Sequence, residues 1–244
     1  PPELGAAASA LNEVVENLQL VEQRVRVLAE PQPADPLLDQ PMPGELGRAL
    51  TSSFDVLDES IRDRASLHDE LAHRATHDPL TGIANRAGIL AALERAIARL
   101  PRSDGALLVA FVDLDRFKSV NDTHGHRHGD EVLCQVAARL ATHARADDVA
   151  GRLGGDEFVL VAEHIPSEAI ARQLGGRIAE ALARPIAIGD SEITVGASVG
   201  LALTVGGGET AVQLLDRADR AVYEAKRSPS SIALSPGGAP VERR

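Results

Sequence analysis

Two acidic clusters are the parts of this 244-residue sequence whose residue types and spacing point most directly to chemistry. The first, Asp113-Leu114-Asp115, directly follows the apolar run 106–112, and the second, Asp156-Glu157, directly follows Gly154-Gly155. Adjacent carboxylates repel each other, and a cation relieves that repulsion. Mg²⁺ prefers a few carboxylate oxygens that are completed by phosphate oxygens. The clusters therefore predict a divalent metal site, built mainly by Asp113 and Asp156, for a substrate that carries phosphate.

The first cluster needs a strand to position it. The run 106–112 has the length and composition of a buried central strand. Because side chains alternate along a strand, Asp113 and Asp115 are predicted on one side and Leu114 on the other. Carboxylates at the end of a buried strand are costly unless they are solvated or coordinated. The alternative role for Asp115 is the N-cap of a following helix, where aspartate is favoured.

The second cluster lies in a predicted β-hairpin. Residues 149–153 and 157–162 are apolar strand candidates, and Gly154-Gly155 between them is a strong turn signal. Glycine adopts positive φ at little cost and lets a bulky anion approach the backbone. The hairpin therefore predicts a turn that presents Asp156 and Glu157 beside a phosphate.

The remaining elements indicate an α/β fold, more closely an α+β sandwich with a mixed sheet. Strands joined partly by hairpins and partly by helices are typical of that class. A second hairpin is expected from 186–188 and 192–204 around Gly189-Asp190, and a last edge strand over 231–234. Helical spacing of apolar residues is found over 85–100, 129–144, 166–183 and 210–227.

The first third of the chain reads as a helical extension. Residues 1–30 are predicted to form a coiled-coil-like helix, with a helix packed on its own domain as the alternative. Five prolines in 31–44 predict a linker, and 45–76 a second, signalling helix that transmits orientation to the following domain. The tail 236–244 is expected to be disordered. The apolar residues at alternating spacings of three and four are Leu4, Ala7, Leu11, Val14, Leu18, Val21, Val25 and Leu28.

Composition excludes several classes of function. Lys and Arg number 25 against 36 Asp and Glu, a net charge of −11, which argues against sequence-independent binding of nucleic acid. Cys134 is the single cysteine, so neither an intrachain disulfide nor a cysteine metal cluster can form. No apolar stretch reaches the roughly 18 residues of a membrane span, and no signal-peptide pattern is seen. We therefore expect no membrane segment and a cytoplasmic location.

Over residues 77–235 the sequence resembles the GGDEF domain of diguanylate cyclases. The resemblance rests on six motifs in the order that the family has them. They are HDPLTGIANR at 77–86, DLDRFKSVND at 113–122, GH at 125–126 continuing to GD at 129–130, GGDEF at 154–158, ASVG at 197–200 and ADRAVYEAK at 218–226.

This resemblance implies a palm-like fold related to nucleotidyl cyclases, with a central mixed sheet flanked by helices. It implies an enzyme that condenses two GTP molecules into cyclic di-GMP and releases two pyrophosphates. Mg²⁺ is the expected cofactor, with Mn²⁺ as a substitute. Each protomer is expected to bind one GTP, and the N-terminal helices are expected to hold a homodimer together.

The resemblance also assigns the metal and catalytic residues. It implies that Asp113, the backbone carbonyl of Leu114, Asp156 and Glu157 hold the metal. Asp156 is further expected to help deprotonate the attacking hydroxyl, with Glu157 beside it. Lys118 is expected to stabilise charge that develops on the phosphate. The alternative for Lys118 is a solvated lysine at a helix end.

Guanine recognition is assigned by the resemblance to Asn121 and Asp130. A carboxylate accepts hydrogen bonds from the N1–H and the exocyclic amine of guanine, and adenine lacks that pair of donors, so Asp130 favours GTP over ATP. The alternative for Asp130 is the N-cap of a helix that begins at Glu131. The other residues expected to contact substrate are Phe117, Gly154, Gly155 and Lys226.

The sequence departs from the family after Lys226. The family usually has a Gly-Arg-Asn-like triplet shortly after this lysine, and this chain has Arg227-Ser228-Pro229-Ser230-Ser231. The second phosphate-binding arginine therefore has no counterpart there. This departure favours the alternative function, a catalytically weak GGDEF domain that serves as a binding module for GTP or cyclic di-GMP.

Two further sets of residues carry predictions. Arg145 and Asp148 resemble the family's Arg-x-x-Asp inhibitory site, where product binds and slows the enzyme. The alternative is a surface ion pair of little energetic value. His124, His126 and His128 alternate at metal-ligand spacing, but structural loop residues are the favoured interpretation of these histidines.

Overall fold

The computed structural model describes residues 2–28, 44–102, 105–189, 191–206 and 208–235. It divides into two compact units, Pro1–Leu71 and Ala72–Arg244. The proline-rich linker predicted over 31–44 lies outside the described residues, except for Gly44. The predicted disordered tail, 236–244, also lies outside them.

The first unit is helical. It contains α1 (Pro2–Leu28) and most of α2 (Gly44–Thr76). Three positions of the heptad pattern in α1, Leu11, Val14 and Leu18, are exposed by 65%, 41% and 62%. These three apolar side chains are therefore exposed on α1, and the coiled coil and its alternative, a helix packed on its own domain, both stay predictions. Among the described residues, no helix combines the length and the hydropathy that crossing a membrane requires.

The second unit is built on a five-stranded sheet with the order β2-β3-β1-β6-β7. All neighbouring strands are antiparallel except β6 and β7, which are parallel. The strands are β1 (Ala106–Asp115), β2 (Val149–Gly154), β3 (Glu157–Ile165), β6 (Gly196–Thr204) and β7 (Ile232–Leu234), while β4 (Ile186–Ile188) and β5 (Ser191–Ile193) form a separate hairpin.

Helices cover both faces of this sheet. The central strand β1 turns Leu108, Ala110 and Val112 toward α5 (His126–Ala141) and α6 (Glu168–Leu182). It turns Leu107 and Val109 toward α3 (Arg86–Arg99) and α7 (Ala211–Ala225). Burial on both faces explains why this strand is continuously apolar. The prediction of a mixed sheet flanked by helices is confirmed. A further helix, α4 (Phe117–His124), precedes α5 in the chain.

Two sequence-based boundaries are wrong. The strand predicted over 192–204 is divided, because β5 pairs with β4 whereas β6 begins at Gly196, opposite Asp115 of β1. The histidine segment is helical rather than a loop: α4 ends at His124, Gly125 adopts φ 83°, and α5 begins at His126. In the described parts of the chain, no three His, Cys, Asp or Glu side chains form a group that could hold a metal.

Within the second unit, Asn85 connects the end of α2 to the start of α3. Its backbone N–H donates to the carbonyl of Thr76 at 2.9 Å, and its Nδ2 donates to the carbonyl of Ala75 at 3.1 Å. Its Oδ1 accepts from the N–H of Gly88 at 3.0 Å and so caps α3. One side chain therefore satisfies the open C-terminal end of α2 and the open N-terminal end of α3.

Candidate active site

The end of β1 brings the two acidic clusters together. In the sheet register, Asp113 lies opposite Glu157 of β3 on one side and opposite Ser198 of β6 on the other. The N–H of Leu114 donates to the carbonyl of Asp156 at 3.2 Å. Antiparallel pairing thus places both clusters where β1 ends and β3 begins, as the metal-site prediction requires. We call this end of the sheet, with Asp113, Asp115, Asp156 and Glu157, the acidic edge.

Lys226, at the C-terminal end of α7, completes this edge. Its Nζ lies 2.8 Å from Oδ1 of Asp113. The hydrogen bond to Asp113 raises the pKa of Lys226 despite partial burial, and the charges of Asp115 and Asp156 add to the effect. Lys226 therefore stays protonated at neutral pH and offsets part of the negative charge.

The negative charge at this edge is not fully compensated. Burial raises the pKa of Glu157, and the nearby carboxylates of Asp219, Asp113 and Asp156 raise it further, against a smaller opposing effect of Arg86. Hard carboxylate and carbonyl oxygens are the donors that Mg²⁺ prefers. Since no three acidic side chains converge as a ready cluster in the described regions, substrate phosphate oxygens would have to complete the coordination. The donor set fits Mg²⁺ bound together with a nucleotide.

Asp115 has a structural partner that its sequence context did not reveal. Its Oδ1 accepts a hydrogen bond from Oγ of Ser198 at 2.9 Å. Residue 116, not 115, is the N-cap of α4, and no side chain caps that helix. The N-cap alternative for Asp115 is therefore wrong. A Cβ on Gly196 would lie 2.7 Å from Oδ2 of Asp115, so glycine leaves room for this carboxylate.

Arg152 holds the signature turn, Gly154-Gly155-Asp156-Glu157, which joins β2 to β3. This role of Arg152 was not predicted from the sequence. Its Nε and Nη2 donate to the carbonyl of Gly155 at 3.0 and 2.8 Å, and its Nη1 lies 3.2 Å from Oδ1 of Asp78. Gly155 has φ 55°, the left-handed region that glycine tolerates best. No local signal marked Arg152, because its two acceptors, the Gly155 carbonyl and the Asp78 carboxylate, come together only in the fold.

Asp78 anchors this arginine. Burial pushes the pKa of Asp78 upward, but hydrogen bonds from the N–H and hydroxyl of Thr81, together with the Arg152 guanidinium, outweigh burial and lower it. The carboxylate is therefore ionised at neutral pH. The motif at 77–86, which opens the domain, thus fixes the turn that carries Asp156.

The two predicted guanine-reading residues lie on consecutive helices, Asn121 on α4 and Asp130 on α5. Because α5 begins at His126, Asp130 lies inside the helix, and the N-cap alternative is wrong. A Cβ on Gly129 would overlap Oδ1 of Asn121, so the Asn121 side chain lies directly against that glycine. The Phe117 ring is buried in the core, which leaves its backbone as the part able to face a substrate.

A cavity of about 860 Å³ adjoins the acidic edge. Lys226, Asp115 and Ser198 line this cavity. They also take part in the contacts at the acidic edge, Lys226 with Asp113 and Ser198 with Asp115. Lys118, on the first turn of α4, is exposed and does not line the cavity. The remaining lining residues are Arg116, Ser119, Val120, His124, Glu192, Ile193, Thr194, Gly196 and Ser231.

The side chain of Asp148 contacts the backbone of Arg145. Oδ2 of Asp148 accepts from the N–H of Arg145 at 2.9 Å, and its Oδ1 accepts from the N–H of Glu163 at 3.1 Å. The Arg145 side chain is exposed. The surface ion pair offered as the alternative is therefore not the contact that these two residues make.

Comparison with known proteins agrees with this geometry. The family model described as "Diguanylate cyclase, GGDEF domain" matches residues 75–231. The chain belongs to the GGDEF-domain diguanylate cyclase family. The match covers all the residues of the acidic edge, and it ends at Ser231, before β7.

Relatives of this GGDEF protein include named enzymes. The bifunctional diguanylate cyclase/cyclic di-GMP phosphodiesterase MucR of Pseudomonas aeruginosa is 39% identical over 186 residues, which cover 73% of this chain and 27% of MucR. Diguanylate cyclase TpbB of the same species is 39% identical over 176 residues, which cover 70% of this chain and 40% of TpbB. The chain thus spans well under half the length of these two relatives.

A solved structure extends the likeness beyond the GGDEF domain. The coiled coil and GGDEF domain of DgcB from Caulobacter crescentus, in complex with c-di-GMP, is 28% identical to this GGDEF protein. It aligns with a TM-score of 0.67, and the alignment covers 78% of this chain and 100% of that chain.

Proposed function

We propose that this GGDEF domain condenses two GTP molecules into cyclic di-GMP and releases two pyrophosphates. In each half-reaction, the 3′-oxygen of one GTP attacks the α-phosphorus of the other. A new P–O bond forms, the bond to the β-phosphate oxygen breaks, and pyrophosphate leaves with that electron pair. The observation that carries the proposal is the pairing of β1 with β3, which places Asp113, Glu157 and the Asp156 backbone beside the cavity at Lys226.

The acidic edge supplies the groups that this reaction needs. Asp113, the Leu114 carbonyl, Asp156 and Glu157 would hold Mg²⁺, or Mn²⁺ in its place. A bound divalent ion lowers the pKa of a hydroxyl and neutralises charge on the attacking and leaving oxygens. Asp156 accepts the proton from the 3′-hydroxyl. Lys226 and Lys118 balance charge on the phosphates.

The reaction requires two half-sites. Each protomer binds one GTP, with Asn121 and Asp130 on the guanine, and two protomers face each other. The exposed heptad positions Leu11, Val14 and Leu18 support a homodimer formed through the N-terminal helices, since they offer an apolar seam to a second copy. Light scattering of the full chain measures whether the dimer forms.

Incubation of the full chain with GTP and MgCl₂, followed by chromatography, tests the proposed activity. We expect cyclic di-GMP and pyrophosphate in a ratio of one to two, no product with ATP, and none when EDTA is added. Binding of GTP without product would instead support the binding-module alternative. Failure to bind guanine nucleotide would contradict both functions.

Replacing Arg152 by Ala is expected to lower kcat by about tenfold. The Gly155 carbonyl loses both guanidinium hydrogen bonds, so the turn that carries Asp156 is less well positioned. Hydrogen bonds to charged groups contribute about 1.5–3 kcal/mol each, and about 1.4 kcal/mol corresponds to a factor of ten in rate.

The matched control for Arg152 is Arg127→Ala, because the Arg127 side chain is 90% exposed and pairs with Glu131 on the surface. This control should keep wild-type kcat. A folded Arg152→Ala protein with unchanged kcat, verified by circular dichroism, would remove the positioning role of Arg152.

Replacing Arg145 by Ala is expected to relieve product inhibition, raising the cyclic di-GMP concentration for half-inhibition by about tenfold. An arginine pairs bidentately with phosphate or guanine edges, and one such pair contributes about 1–3 kcal/mol. The loop should keep its shape, because Asp148 accepts from the backbone N–H of residue 145.

Initial rates at increasing cyclic di-GMP measure this relief, and kcat without product should stay unchanged. If product does not inhibit the wild-type chain, or inhibits both proteins equally, the inhibitory-site assignment fails.

A further inference from the structure

Of the described lysines, Lys226 lines the cavity beside the acidic edge and Lys118 does not. Lys226 is held at 2.8 Å by Asp113, so its charge is already shared. The other permanently charged cation among the lining residues is Arg116. Its side chain is exposed, and within the described residues it forms neither an ion pair nor a hydrogen bond. It is therefore available to a ligand.

The backbone of Arg116 has an unusual conformation at the start of α4. With φ 57° and ψ 28°, it adopts the left-handed conformation between Asp115 and the first turn of α4. That conformation is unfavourable for a non-glycine residue. No hydrogen bond from its own side chain compensates this cost, because the side chain does not cap the helix. The conformation is thus tolerated next to the carboxylates that would hold the metal.

Arg227 is not an equivalent cation. It directly follows Lys226 in the sequence, but its guanidinium carbon lies 5.9 Å from the centre of the Tyr223 ring, and the residue does not line the cavity. No arginine occurs from Ser228 to Ser231. Residues 227–231 therefore place no arginine at the cavity.

We propose that Arg116 binds the triphosphate of the nucleotide substrate through its guanidinium. The planar fork of arginine pairs bidentately with phosphate oxygens, whereas the lysine ammonium acts as a point charge. Arg116 and Lys226 lie on different elements that border one cavity, so together they can hold an extended phosphate chain. This inference rests on the proposed function for the identity of the nucleotide, GTP.

Calorimetric titration of the full chain with two probes in the presence of Mg²⁺ tests this role. One probe is a GTP analogue with a methylene bridge between the α- and β-phosphorus atoms, which prevents turnover, and the other is guanosine. We expect Arg116→Asn to weaken binding of the triphosphate analogue by about tenfold and to leave guanosine binding unchanged. Asn is chosen because it tolerates the left-handed conformation without a charge.

Three further variants sharpen the result. Arg116→Gly removes both the charge and the backbone strain, and should lose as much affinity as Arg116→Asn. If one of these two variants folds poorly, the other still tests the role of the charge. Arg116→Lys, which keeps a point charge, should fall between Arg116→Asn and wild type. Arg227→Asn is the matched control and should bind both probes as wild type does.

The outcomes separate this inference from the proposed function. Wild-type affinity for the analogue in folded Arg116→Asn, or an equal loss in Arg227→Asn, would overturn the role of Arg116 even if wild type makes cyclic di-GMP. A selective loss in Arg116→Asn would support it even if wild type makes none. If the wild-type chain binds no triphosphate analogue, the inference is overturned as well.

Discussion

Replacing Asp113 by Asn is expected to reduce cyclic di-GMP formation by about a thousandfold or more, with the fold intact. Asn keeps the shape of the side chain but removes the charge that would hold Mg²⁺ at the end of β1. It also leaves Lys226 without its ion-pair partner at 2.8 Å. A metal ion contributes several kcal/mol of charge stabilisation, and about 4 kcal/mol corresponds to a factor of a thousand.

Product formation measured by chromatography, with GTP at saturation, tests the loss in Asp113→Asn. Asp156→Asn should behave in the same way, since its backbone pairs with Leu114 at the same edge. The matched control is Asp216→Asn, an exposed carboxylate on α7 that should leave kcat unchanged. Retention of a tenth or more of wild-type activity in folded Asp113→Asn would show that this carboxylate is not a metal ligand.

Replacing Gly129 by Ala is expected to lower kcat/KM for GTP by about 10- to 100-fold, mainly through KM. The added methyl group would overlap Oδ1 of Asn121, and this flexible side chain would have to move. A bidentate contact between a side chain and a base contributes about 1–3 kcal/mol, so displacement of Asn121 costs a comparable amount of binding. Thermal stability should not fall strongly, because Ala is favoured over Gly inside a helix by about 1 kcal/mol.

Gly176→Ala is the matched control for Gly129→Ala, since Gly176 also lies inside a helix. Its added Cβ would lie 3.6 Å from Cδ1 of Ile232, an ordinary contact. This variant should keep wild-type KM. If Gly129→Ala binds GTP normally while its melting temperature is maintained, Asn121 does not contact the base.

Part of the site at the end of β1 was predictable because it depends on residues that are close together in the sequence. A continuous apolar run that ends in alternating carboxylates already indicates a central strand with Asp113 and Asp115 on one side, and the Gly154-Gly155 turn indicates a hairpin. Both features depend on local periodicity and turn chemistry. They were sufficient to predict the mixed sheet, and the motif order was sufficient to identify the family that comparison then confirmed.

Other contacts were not predictable, because their partners are far apart in the sequence. Arg152 pairs with Asp78, 74 positions away, and Ser198 donates to Asp115, 83 positions away. Nothing near Arg152 distinguishes it from an arginine on a surface strand. The division of 192–204 into β5 and β6 likewise depends on which strands become neighbours, rather than on the residues themselves.

The amino-acid sequence by itself determined the elements of this protein, its family and the two carboxylate clusters, since each of these depends on residues close together in the chain. The tertiary structure alone decided the partners of those groups: Lys226 on Asp113, Arg152 on the signature turn, and Arg116 rather than Arg227 at the cavity. The physical reason is that charge compensation acts through space. A buried or crowded carboxylate is satisfied by whichever cation the fold brings within a few ångströms, at any separation along the chain.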